Sequence, residues 1–407
     1  MGYIAFSEKN NIKRGNKKRD FFWHIILTHL FDLRGLDSKN LTKNLMKKIL
    51  LMGPLTPPYH GQSIAFTTIV KQFENRNHIF INISNTNSII KGFFLCLKII
   101  FIVLFNNINV VYFTCSRGFS SSIRDVVLLL CARIKKIRVI NHLHGNTFYR
   151  FYHSVPSWYR FIIKYAYNQV DTSIVLLPIM KEQFRDFPNM KIKTVSNCYS
   201  SKLDKLPLIK EKSNDSISLL YLSNIMESKG ILFLLDACNT LFQTHPNLSL
   251  CIAGTFISDE CSRQEVIKKR FENQYNFLRK KYPTKIKYRG VVSGEVKSKL
   301  LWDSDIFILP TYYPSEAFPL SIIEAMRAGN YVISSIHNLI PEIIMKDNGT
   351  LVEPRSSETI VQAVIDICSN TTQLRKVQNY NIEYAIQNYQ ESKYVEQVLS
   401  IIDCRNT

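Results

Sequence analysis

The sequence predicts an α/β protein built from two doubly wound, Rossmann-like domains that face each other across a central cleft. From Met46 onward, apolar runs of strand length alternate with helical patterns, the signature of parallel sheets wrapped by helices. A polar, Lys-rich interval from Ser200 to Ser216 interrupts the alternation midway. The chain of 407 residues, 46% of them apolar, is long enough to furnish a core on each side of that interval. The organisation expected is an extension over 1–45, a first domain over 46–205, a linker over 206–216, a second domain over 217–385 and a terminal helix within 386–407.

In the extension, the basic run Lys13 to Arg19 precedes the apolar run Phe21 to Phe31, an order that imitates a signal peptide. No small-residue cleavage site follows, and Phe22, Ile25, Ile26, Leu30 and Leu33 form a helical stripe instead. The segment therefore reads as an appended piece or an over-extended start. Strands of the first domain are expected at Lys48–Met52, His78–Ile83, Asn109–Phe113, Arg138–His142 and Thr172–Leu177. Between the second and third of these, Ile89–Phe105 is the most apolar stretch of the chain. Lys91 and Lys98 interrupt it and it falls short of the roughly 20 apolar residues a bilayer requires, so it reads as a mostly buried helix. The second series runs through Ile217–Leu222, Leu248–Ala253, Ile286–Arg289, Ile306–Leu309 and Tyr331–Ser334, and Ser392–Ile402 is a helix expected to pack back on the first domain.

Charge divides unevenly. Residues 1–200 carry 28 basic against 9 acidic residues, whereas 201–407 carry 24 against 23. The basic half, with the cluster Arg133, Lys135, Lys136 and Arg138, suits an anionic partner. No nucleic-acid-binding motif accompanies it, and an anionic membrane surface explains the same asymmetry. Nine cysteines show no Cys-x-x-Cys pair, which argues against a disulfide framework or structural zinc.

The run from Tyr313 to Gly329 reads as loop then helix between two strands, with Pro319 in the first helical turn and Gly329 at the exit. Glu316 sits ahead of that helix, and Glu324 lies about 7.5 Å further along the axis. Free N–H groups near Phe318, Pro319 and Leu320 mark a helix N-terminus at the ligand-binding edge of a sheet, where phosphate fits. Carboxylates repel phosphate but accept hydrogen bonds from hydroxyls, so the pair points to a ligand carrying sugar and ribose. The plainer alternative makes Glu316 a partner of the helix dipole and Glu324 a solvated surface residue.

Lys229 precedes Gly230 at the start of a helical pattern, where the dipole disfavours a cation by about 0.3–1 kcal/mol unless an anion binds there. Its alternative partner is Glu227 or solvent. His144 ends a strand and precedes Gly145, which permits a tight turn near a ligand. His142 points the same way by strand alternation. The loop Gly53 to Ser63 matches neither the dinucleotide fingerprint nor the P-loop. Asp303-Ser-Asp305 has the spacing of a metal-binding motif but sits at the entry of a strand, opposite the ligand edge, and reads as a turn.

Several stretches occur in order: Tyr221 to Gly230, Ala253-Gly254, Arg289 to Val291, Ser304 to Pro310, the two-glutamate run, Pro341 to Ile344 and Asn348 to Pro354. Through them the second half resembles the nucleotide-sugar-binding domain of retaining glycosyltransferases of family 4, which have the GT-B fold. The first half resembles that family through Gly53 to Ser63 and His142 to Gly145, so the likeness covers about residues 46–402. It implies that Lys229 contacts a diphosphate, Glu324 the ribose and Glu316 the transferred sugar. It further implies that His144 approaches the reacting centre, that the stretch Ala317, Phe318, Pro319 and Leu320 supports sugar and phosphate, and that Gly61 and Gln62 lie near diphosphate and acceptor. Where such enzymes often carry an arginine, this chain has Asn224, which donates hydrogen bonds but no charge.

The expectation is a metal-independent, retaining glycosyltransferase with a nucleotide-sugar donor and a lipid-linked saccharide acceptor, of the kind used in O-antigen or capsule assembly. It needs no cofactor and sits as a cytoplasmic, peripheral protein on the inner face of the cell membrane, with no nucleic acid as partner. Two rivals are a non-catalytic nucleic-acid- or membrane-binding protein that reuses the fold, and a sugar-nucleotide epimerase on similar paired domains.

Overall fold

A computed structural model of the chain describes residues 48–84, 88–210 and 216–404. The expected extension over 1–45 lies outside them, as do residues 211–215 of the expected linker.

Two six-stranded, all-parallel sheets form the frame. The first contains β1 (Ile49–Gly53), β2 (His78–Asn82), β3 (Val110–Thr114), β4 (Arg138–Leu143), β5 (Thr172–Val175) and β6 (Lys191–Thr194), in the order β2-β1-β3-β4-β5-β6. The second contains β7 (Ile217–Leu222), β8 (Leu248–Ala253), β9 (Ile286–Tyr288), β10 (Ile306–Leu309), β11 (Tyr331–Ser335) and β12 (Gly349–Val352), in the order β12-β11-β10-β7-β8-β9. Every residue of β1, β3, β10 and β11 is buried, as expected of parallel strands covered by helices on both faces. Each sheet reverses its winding once, between β1 and β3 in the first and between β7 and β10 in the second. Loops leaving those strands at their carboxyl ends open into the crevice where such folds hold ligands.

The helices are α1 (Gly61–Lys71), α2 (Ile89–Phe105), α3 (Phe119–Ile134), α4 (Phe148–Ser154) and α5 (Ser157–Tyr167) on the first sheet. On the second they are α6 (Ile231–Thr244), α7 (Gln264–Lys281), α8 (Gly294–Asp303), α9 (Leu320–Arg327), α10 (Ser357–Cys368) and α11 (Thr371–Tyr389), followed by α12 (Glu391–Asp403). Tyr394, Val398 and Ile402 of α12 join Ile49, Leu51, Tyr112, Ile140 and Ile174 in one core of the first sheet. Arg138 closes this contact by donating to the carbonyls of Ile401 (2.7 Å), Ile402 (2.9 Å) and Cys404 (2.7 Å), where a cation also suits the helix dipole.

Two expectations are corrected here. α2 is not mostly buried: Leu95, Ile99 and Val103 face inward at four-residue spacing, while Ile89, Ile90, Phe93, Phe94, Leu97 and Phe105 are exposed. A helix apolar on every side can bury only the stripe that meets its neighbours. Arg138 does not belong to a free basic surface, because its guanidinium caps α12. The interval after Ser200 is also held down over its first half. Arg327 donates to the carbonyls of Asp204, Leu206 and Pro207, and the buried Lys210 ammonium donates to those of Ser304 and Ala328.

Candidate functional site

The loops after β7 and β10 are joined before any side chain acts. Tyr312 N–H donates to the carbonyl of Ser228 (2.7 Å), and the Thr311 hydroxyl reaches the same carbonyl (3.3 Å). Gly230, at φ +77°, makes the approach possible, because a Cβ there would lie 2.0 Å from the Pro310 carbonyl oxygen. The junction brings the Lys229 ammonium onto Glu316 as an ion pair, both side chains nearly buried, with Thr311 Oγ1 3.4 Å from the same carboxylate. The ammonium also lies 5.1 Å from the Tyr313 ring centroid.

Glu227, the alternative partner for Lys229, is instead engaged with Arg270 at 2.6 Å. Glu324 is 6% exposed and paired at 2.6 Å with Lys297 of α8, so it is not a solvated surface residue. One carboxylate–lysine pair thus stands on the loops at the switch point of the second sheet, and a second joins α8 to α9, the helix that follows the β10 loop.

Pro319 is the N-cap of α9 rather than its first helical residue, makes no side-chain cap and has no N–H. The first-turn donors are therefore Leu320 and Ser321. Ala317 and Phe318 are buried, and the Phe318 carbonyl accepts from Asn197 Nδ2 (3.5 Å) of the first-domain side. Gly61 starts α1 with its Cβ position 3.9 Å from Leu320 Cγ, so the two halves meet where α1 and α9 begin. Asn224 is half-buried, and its carbonyl accepts from the Tyr221 hydroxyl (3.2 Å).

On the first sheet, His142 and His144 stack with ring centroids 4.0 Å apart. His142 Nδ1 shares a 2.7 Å hydrogen bond with the Tyr112 hydroxyl, and burial lowers its pKa to about 3. Both ring nitrogens of His144 are buried without a partner. Burial first, then His142, Arg117 and His60, push His144 well below the usual histidine range, so the ring is neutral at pH 7. His60 caps α1, its Nδ1 accepting from Ser63 N–H (3.2 Å), and burial followed by Arg117 lowers its pKa too.

Sequence reasoning missed Lys297, His60 and Arg117. For Arg117 and His60 a signal existed, since both stand in loops that leave strands at the ligand end. Lys297 lies inside α8 and has no motif around it. Asp303 and Asp305 stand away from this cluster, at the opposite end of β10. Asp303 pairs with Lys299 (3.0 Å), and the buried Asp305 accepts from Ser218 N–H and Oγ, each at 2.9 Å.

Residues 204–387 match the family model described as "Glycosyl transferases group 1". A lipopolysaccharide 1,2-N-acetylglucosaminetransferase of Salmonella typhimurium is 29% identical over 155 residues, 37% of this chain and 39% of that protein. A putative colanic acid biosynthesis glycosyltransferase, WcaL, of Escherichia coli is 36% identical over 75 residues, 17% of this chain and 18% of that one. The chain thus spans less than half the length of the curated relatives it matches. Among solved structures, Anabaena Alr3699/HepE in complex with UDP aligns with a TM-score of 0.67 at 15% identity, covering 88% of this chain and 99% of that one. A glycosyltransferase from Rickettsia africae aligns with a TM-score of 0.64 at 20% identity, over 88% and 98%. The fold is GT-B.

Proposed function

We propose that the chain is a retaining, metal-independent glycosyltransferase of the family 4 type, moving a sugar from a nucleoside diphosphate to a lipid-linked saccharide in surface-polysaccharide assembly. One observation carries this reading. Two nearly buried carboxylates, each held by its own lysine, flank the N-terminus of α9, Glu316 in the loop ahead of it at the switch point and Glu324 within the helix. A nucleotide sugar complements that array, offering hydroxyls to carboxylates and phosphate to Lys229 and the N–H groups of Leu320 and Ser321. The group 1 family match and the UDP-bound Anabaena structure support the same ligand class.

Glu324 holds the ribose hydroxyls and Glu316 those of the transferred sugar. Lys229 turns from Glu316 to the diphosphate, and the Asn224 amide adds a hydrogen bond without charge. His144, neutral and unpartnered, donates to the sugar or to the departing oxygen. The anomeric carbon exchanges its bond to the diphosphate for one to the acceptor oxygen, and the acceptor proton leaves with the diphosphate. The positions of Asp303 and Asp305, engaged with Lys299 and Ser218, favour a route without metal.

The acceptor reaches the site from the basic first half. The exposed apolar face of α2, with Lys91 and Lys98 along it, suits shallow contact with an anionic membrane. No helix among the described residues is long and apolar enough to cross one. Peripheral attachment at the inner face of the cell membrane follows from this reading.

A donor screen, scored by nucleoside diphosphate release with and without membrane lipid extract, tests the proposal. Release should depend on the extract, yield a lipid-borne sugar with retained configuration, and survive EDTA. An epimerised nucleotide sugar formed without acceptor would replace the reading, and loss of release on chelation, restored by manganese or magnesium, would end the metal-independent route.

A further inference from the structure

The first sheet has its own switch point, and the loops leaving β1 and β3 carry His60 and Arg117 to it. The Arg117 guanidinium lies against the backbone that follows His144. A Cβ on Gly145 would fall 1.8 Å from its Nη1, so the arginine occupies the space a side chain would need. From there its charge bears on both His60 and His144.

Arg117 is half-buried and makes no hydrogen bond or ion pair among the described residues. The carboxylate beside its loop is committed elsewhere. Asp125 binds Arg124 through Oδ1 (2.9 and 3.0 Å) and Ser116 N–H through Oδ2 (2.6 Å). Lys229 and Lys297 across the cleft are already neutralised by Glu316 and Glu324. Arg117 is thus a cation on the first-sheet side that these carboxylates leave unbalanced. His60, with Nδ1 accepting from Ser63, carries its proton on Nε2, and His144 has both nitrogens unengaged. Two neutral N–H donors beside a planar guanidinium make a receptor for a tetrahedral oxyanion.

We propose that Arg117, with His60 and His144, forms a phosphate subsite contributed by the first domain. Anion binding there follows from the cluster alone, while the source of the phosphate rests on the glycosyltransferase reading. It is either the donor diphosphate, for which Arg117 supplies the charge Asn224 lacks, or the phosphate of a lipid-linked acceptor. Gly61, next to His60 and against Leu320, places the subsite at the meeting of the two halves.

Calorimetric titration of the full chain with inorganic pyrophosphate, UDP and a detergent-dispersed prenyl diphosphate tests this. Arg117→Ala should weaken pyrophosphate at least tenfold, with Arg117→Lys recovering part of the loss. A parallel loss for UDP assigns the subsite to the donor, and a loss shared by pyrophosphate and the prenyl diphosphate but not by UDP assigns it to the acceptor. Arg117→Gln takes the place of the alanine variant if that does not fold. Pyrophosphate binding that needs Arg117 in a chain that does not bind UDP would keep the subsite and sink the nucleotide-sugar reading. Affinities within twofold of wild type for all three probes, or no pyrophosphate binding by the wild type, would overturn the subsite.

Discussion

Glu316 and Glu324 are each shielded from water and tied to a lysine, so replacing either affects folding as well as ligand. A largely buried donor deprived of its partner costs about 1–3 kcal/mol, and Glu316→Gln should lower stability by that order. This differs from a purely ligand-facing residue, whose loss would leave the melting temperature alone. Both Glu316→Gln and Glu324→Gln should also abolish most turnover. His144→Ala should reduce turnover by about 10²-fold, and its thermal cost should come from the lost stack on His142 rather than from any hydrogen bond. Melting curves beside turnover decide the matter, and near-normal rates in either glutamine variant would confine that glutamate to structure. The glutamates, Lys229 and His144 were legible because each stands in a short ordered motif. Lys297 was not, since it meets the others only through tertiary approach and shares no spacing with them, and for His60 and Arg117 the signal lay only in their place in loops at the ligand end of the first sheet.

At the scale of elements, ten of the twelve strands could be read from apolar runs, eight of them central strands and two, β2 and β9, sheet edges that still carry apolar residues. The two that escaped, β6 and β12, are sheet edges. β6 alternates exposed Lys191 and Lys193 with half-buried Ile192 and Thr194, which protects an edge from pairing and hides it among polar loops. β12 is only partly buried. α2 was legible as a helix and misread in its burial, since composition cannot say which neighbours will cover a helix that is apolar all round. Phe93→Glu with Phe94→Glu should leave stability within about 0.5 kcal/mol, as for other exposed sites. The same variant should sediment several-fold less with anionic liposomes at low salt. Undiminished sedimentation would remove α2 from the membrane contact.

Across the whole molecule, basic residues concentrate in the first half, but not every one there is available. Arg138→Ala should lower stability by about 1–3 kcal/mol through lost carbonyl contacts and leave liposome binding unchanged. A large loss of liposome binding without a stability change would return Arg138 to the lipid-facing surface. The terminal helix has a mechanical meaning as well. The chain passes between the halves near Tyr199 and returns near Tyr389, and the two passages are stitched together: Tyr199 N–H donates to the Tyr389 carbonyl (3.0 Å), and Ser201 N–H to Glu391 Oε2 (2.8 Å). Two connections side by side act like the knuckles of one door. They permit the halves to swing about a line along that seam and resist their twisting past each other, so the widest travel falls at the rim farthest from Tyr199 and Tyr389.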